Sequence, residues 1–117
     1  MSTLRKIPFV VILLLFMAFK PFHHGWSNYD QSKALDFTGI IQESVYENPH
    51  GSIKLKHEDK VWLVILAPVS RMTTRGVTAD MLKKGSTVQV VGYPHKEVKD
   101  EMRAERIFIG GQKFELR

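Results

Sequence analysis

The chain has no cysteine. That absence excludes disulfides, a cysteine-ligated metal and a lipid anchor on a signal-peptide cysteine. There is no internal repeat and no low-complexity stretch. Nucleophile elbow, glycine-rich phosphate loop and zinc-protease helix are all missing from the sequence. Nor is there a block of clustered Lys and Arg. The formal charge of +5 includes Arg5, Lys6 and Lys20, which belong to the N-terminal apolar segment or its edge. About +2 remains on the rest, and nothing gathers it on one face, so no nucleic-acid partner is expected.

Only one long apolar run is present. Arg5 and Lys6 precede Ile7 to Phe19, which is shorter than the roughly 20 residues that cross a bilayer as a helix. Basic residues followed by a short apolar core describe a secretory signal. We therefore divide the chain into a signal peptide over 1–22 (or an uncleaved N-terminal anchor), an extended lead-in over 23–34 and a domain over 35–117. The expected location is periplasmic or secreted, with membrane association only if the segment stays uncleaved. Lys20-Pro21 and bulky Phe16 make a poor cleavage site around Ala18.

The domain reads as β-structure. Leu35, Phe37, Gly39 and Ile41 alternate with Asp36, Thr38, Ile40 and Gln42, the period of a half-buried strand that we extend to Glu47. Asn48-Pro49-His50-Gly51 is a turn. Ser52 to His57 is a second strand with Ile53 and Leu55 inward. Glu58-Asp59 turns into a third, Lys60 to Leu66, whose continuous apolar character predicts burial on most sides. Residues 68–76 form a short helical turn closing at Gly76, and Thr78 to Lys84 a clearer helix capped by Thr78 and stopped by Gly85. Ser86 to Tyr93 and Glu101 to Ile109 are further strands. A parity switch near Arg106 predicts a bulge. Gly110-Gly111 turns into a closing strand over Gln112 to Arg117. Three strands, a helix, then two strands and an added leg describe a small OB-fold-like five-stranded barrel, all β with one short helix. An open β-sandwich is the alternative.

The candidate chemistry lies in histidines. His50 and His95 each sit in a loop at a strand end, and in an OB barrel those two loops border one binding face. His23 or His24 from the lead-in would add a third nitrogen. Imidazoles without thiols suit a copper or zinc ion. Tyr46, Glu47, Asn48 and Met102 are secondary binding candidates. Binding would order residues 23–30 over the ion. Each histidine also has a plain reading, as a turn residue bonding backbone or as a solvated lead-in residue. His57 is taken as a strand-end residue. The alternating Glu and Arg of 101–106 read as exposed cross-strand charge pairs, and Trp26, Tyr29 and Trp62 as packing anchors.

Taken together, His23-His24-Gly25-Trp26, Thr38-Gly39-Ile40-Ile41, Glu47-Asn48-Pro49-His50-Gly51, the Trp62 strand, the Pro68 to Gly76 segment, Gly85 and Val91-Gly92-Tyr93-Pro94-His95 resemble a family of small exported bacterial proteins, domain of unknown function 6152. The resemblance spans nearly the whole exported chain. It implies a small exported β domain with characteristic histidine segments and brings no established activity. The expectation is a binding domain for a transition-metal ion. The alternative is a non-catalytic envelope module whose loops and basic helical surface (Arg71, Arg75, Lys83, Lys84) contact an envelope protein or anionic polymer. No residue is assigned a catalytic role. An enzyme would require an open coordination position with a pocket beside it.

Overall fold

The structure, a computed structural model, describes residues 25–117. The N-terminal segment expected to act as a signal, with His23 and His24, lies outside the described residues. Six strands follow one another: β1 (Leu35–Val45), β2 (Ser52–His57), β3 (Lys60–Ile65), β4 (Thr87–Pro94), β5 (Glu101–Ile109) and β6 (Gln112–Glu115). One α-helix, α1 (Val69–Arg75), lies between β3 and β4.

Strands run in the order β3-β2-β1-β4-β5-β6, and a parallel pairing of β3 with β5 closes the first five into a barrel. This is the OB-like architecture expected. Closure leaves little bare edge for a foreign strand to pair with. β1 serves both sides: residues 35–40 pair with β4 and residues 40–45 with β2. A register shift between Ile41 and Glu43 bends it at that changeover. Gly39 sits where β1 crosses β2, and a Cβ there would overlap the Lys56 carbonyl oxygen.

The alternation predicted for β1 and β2 is observed, with Ile41, Ile53 and Leu55 buried. So is the parity switch in β5. Val91 pairs with Arg106 while Gly92 pairs with Ala104, so β5 carries one extra residue there. Gly92 accommodates the kink, because a Cβ would run into the Arg103 carbonyl. Gly110 and Gly111 both turn at positive φ, 56° and 81°, as a two-residue hairpin requires.

Three expectations need correcting. β3 is less buried than its apolar run suggested: Val64 is fully buried but Val61 is 45% exposed. Its first half has a neighbour only in β2, since β5 joins it from Leu63 to Ile65. The two helical segments also exchange rank. α1 is the regular helix, with Pro68 at its start and Gly76 at φ 92° taking the left-handed stop. Thr78 to Lys84 yields one 3-10 turn, Asp80–Leu82, with no side-chain cap bond. A nucleus that short gains few helical bonds, and Gly85 and Ser86 are drawn onto β1 through both backbone bonds to Ile41. Finally, β1 stops at Val45 and β6 at Glu115, each short of the limits read from sequence.

The core fills the barrel and its α1 end. Met72 and Leu82 close that end beside Ile53, Leu66 and Met102, all at most 1% exposed. Among the described residues no helix is long and apolar enough to cross a membrane.

Candidate ligand pocket at the barrel rim

The lead-in positions the site. A 3-10 turn over Trp26–Asn28 starts from Gly25 at φ 107°. The chain then runs against the β4–β5 loop, with Asp30 N–H donating to the Pro94 carbonyl and Lys96 N–H to that of Asn28. Tyr29 bridges His95 in this short ladder and is buried. Across the rim, Gly51 N–H donates to the Ala67 carbonyl and Leu66 N–H to that of Gly51. Those two bonds hold the β1–β2 loop, and so His50, beside the end of β3.

These segments border an open pocket of about 260 Å³ lined by Tyr29, His50, Ile65, His95, Glu101 and Arg103, with Gly25 and Asn28 from the lead-in. The sequence expectation that the loops of His50 and His95 border one place is therefore met. The remaining candidates are elsewhere. Met102 is fully buried in the core. The Tyr46 hydroxyl donates to the Val77 carbonyl at 2.6 Å. Glu47 and Asn48 are exposed in their loop and do not line the cavity. Among the described residues no group of three metal-ligating side chains forms.

The two histidines differ chemically. His95 Nδ1 accepts the backbone N–H groups of Glu97 and Val98, each at 3.0 Å. Accepting twice puts its proton on Nε2, making the outer nitrogen a donor. The His95 ring packs edge-on against Tyr29 at 5.1 Å. Burial, then the charge of Arg103, lower the His50 pKa and keep that ring neutral. The Tyr29 hydroxyl donates to Glu101 Oε2 at 2.6 Å, and burial followed by that bond raises its pKa.

Arg103 is the residue that sequence reading misplaced. The alternating Glu and Arg pattern puts it in an exposed row of charge pairs, yet it is only 7% exposed. Its guanidinium lies against the Trp26 ring at 4.5 Å, and Arg117 lies against that ring at 4.3 Å. Its Nε has no hydrogen-bond partner among the described residues. Burial lowers its pKa, and Arg71 and Arg117 push the same way. The available clue was Trp26 itself: an aromatic in a polar lead-in has to cover something.

The basic helical surface is partly committed to structure. Arg71 Nη1 donates to the Leu116 carbonyl at 3.3 Å and Arg75 Nη1 to that of Glu115 at 3.2 Å, so α1 holds the chain end. A wider cleft of about 610 Å³ involves Phe37, His57, Lys60 and Trp62. Its rings stack on one another, Phe37 to His57 at 4.6 Å and to Trp62 at 5.5 Å. His57 Nδ1 lies 2.7 Å from the Thr38 carbonyl. Among the described residues, no buried side-chain polar atom in that cleft lacks a partner.

Fold and pocket together define a small OB-like barrel with a partly basic rim cavity. The chain belongs to the family of unknown function DUF6152, which matches residues 13–103 and so includes every residue lining the cavity. No curated protein matches it. Among solved structures it is similar to a chain of the S. pombe Stn1–Ten1 complex (14% identity, TM-score 0.53, 65% of this chain and 57% of that one). It is also similar to a chain of the complex of TiaS with an isoleucine tRNA and ATP (22% identity, TM-score 0.51, 69% of this chain and 19% of that one). At these identities the likeness extends to the fold alone.

Proposed function

We propose that this protein is a non-catalytic binding domain, exported by its N-terminal segment to the periplasm or beyond, whose rim pocket takes one small ligand. The observation that carries this reading is convergence. The lead-in, the β1–β2 loop and the start of β5 border one pocket, and the buried Arg103 that lines it has an Nε without a hydrogen-bond partner among the described residues. Buried polar groups are almost always paired, so one left unpaired at a cavity points to a ligand. The test is an NMR titration of the full chain with candidate ions. Saturable shifts confined to Tyr29, His50, His95 and Arg103 are expected, and a protein whose pocket resonances answer to none of them would contradict the reading.

A copper or zinc ion is the second reading. Two imidazoles line the cavity and one is held neutral, as a metal ligand must be. His23 or His24 would complete the set. Weighing against it, a metal-bound imidazole normally donates from its other nitrogen, whereas the inner nitrogen of His95 accepts two bonds. The Arg103 charge also opposes a cation. Calorimetric titration with copper(II), zinc and nickel, beside a His50→Ala, His95→Ala double variant, separates the cases. The metal reading expects one-to-one binding that the variant loses.

A further inference from the structure

The pocket contains a positive charge that no carboxylate among the described residues reaches as an ion pair. Arg103 forms no ion pair among the described residues, whereas Arg106 and Arg117 of the same region each reach a carboxylate. Glu101 lines the cavity too, but its Oε2 accepts the Tyr29 hydroxyl. Trp26 covers one face of the guanidinium and supplies attraction but no negative charge. A buried cation in that state is destabilising until an anion joins it.

We infer that the rim pocket binds a carboxylate, the acid group of a small organic molecule, paired with the Arg103 guanidinium and held further by the Nε2–H of His95. This rests on reading the cavity as a ligand site. The planar guanidinium fork matches a planar carboxylate, which can accept two parallel bonds. A single negative charge matches Arg103 and meets less repulsion from the Glu101 carboxylate than a doubly charged phosphate would. Ile65 and the Tyr29 ring offer an apolar wall for the remainder of the ligand. The size of the cavity, about 260 Å³, suits a compact acid. His50 follows the occupant. Its ring is held neutral partly by Arg103, so an anion that screens that charge raises its protonation.

The experiment is an NMR titration of the full chain with sodium acetate, read at the Arg103 Nε–H and at the His50 and His95 ring nitrogens. Sodium chloride at equal ionic strength, sodium phosphate and zinc chloride are run in parallel. Acetate is expected to shift Arg103 saturably, with a dissociation constant on the order of 1 mM for so small a probe. Arg103→Lys keeps the charge but not the fork and is expected to weaken binding about tenfold. Arg103→Met is expected to abolish it. The wild-type resonance carries the test even if a variant fails to fold. Acetate shifts no larger than those of chloride would overturn the inference. If zinc moves both rings while acetate is silent, the pocket remains a ligand site and the carboxylate assignment falls. If neither acts, both readings fall. Phosphate binding tenfold tighter than acetate would overturn the choice of carboxylate.

Discussion

Arg103 and Arg106 stand three positions apart on β5 and have opposite circumstances. Arg106 reaches Glu115 at 3.2 Å and Glu105 at 3.4 Å and remains partly solvated. Those partners raise its pKa, the Glu115 hydrogen bond most. Arg103 is buried beneath Trp26, forms no ion pair among the described residues and has its pKa lowered by burial. The bulge at Val91/Gly92 separates them, turning one toward the β6 hairpin and the other toward the lead-in. Charged residues of one type on one strand thus serve different ends. One ties strands together and the other leaves an electrostatic demand at a cavity.

The largest way to disturb this contrast is Trp26→Ala. It removes the ring that both Arg103 and Arg117 lie against and opens Arg103 to water. We expect a loss of about 2–3 kcal/mol from lost packing and two cation–π contacts, measured by urea denaturation, with faster hydrogen exchange at Arg103 Nε. His95→Ala comes next. Two backbone N–H groups lose their acceptor, for about 1–2 kcal/mol and a visible loosening of residues 96–100 in amide exchange. Arg106→Met, which removes partly exposed pairs, is expected to lower stability by only about 0.5–1 kcal/mol.

The smallest effect is a pH dependence. The folded His50 pKa lies below its ordinary 6.5, so the unfolded chain binds the proton more readily. The neutral-ring contribution is fully present above about pH 6.5 and is lost as pH falls through the folded value. His50→Gln is expected to flatten that part of the stability profile, and an unchanged slope would remove His50 as its source. Acetate is expected to move the His50 midpoint upward.

Much of the architecture was legible because it rests on local pattern. Alternation gave β1, β2 and their inward residues, the parity switch gave the β5 bulge, and paired glycines gave the last hairpin. Pairing of the His50 and His95 loops followed from strand order. The rest depended on distant contacts. Whether β3 has one neighbour or two, and whether Thr78 to Gly85 coils or joins β1, is decided by segments far along the chain. The burial of Arg103 is decided by Trp26, 77 positions earlier. Its neighbours Glu101 and Glu105 suggested a solvated row, and a strand's own pattern contains no record of what docks on it.

The central claim, that Arg103 is a buried charge without an ion-pair partner among the described residues, is tested most directly by urea denaturation of Arg103→Met beside the wild type in chloride buffer. Methionine fills much of the same space without the charge. Removing an unpaired buried cation offsets the lost contact with Trp26, so the account predicts stability within about 1 kcal/mol of wild type. A loss of about 3–5 kcal/mol, the size expected when a satisfied buried ion pair is broken, would contradict it.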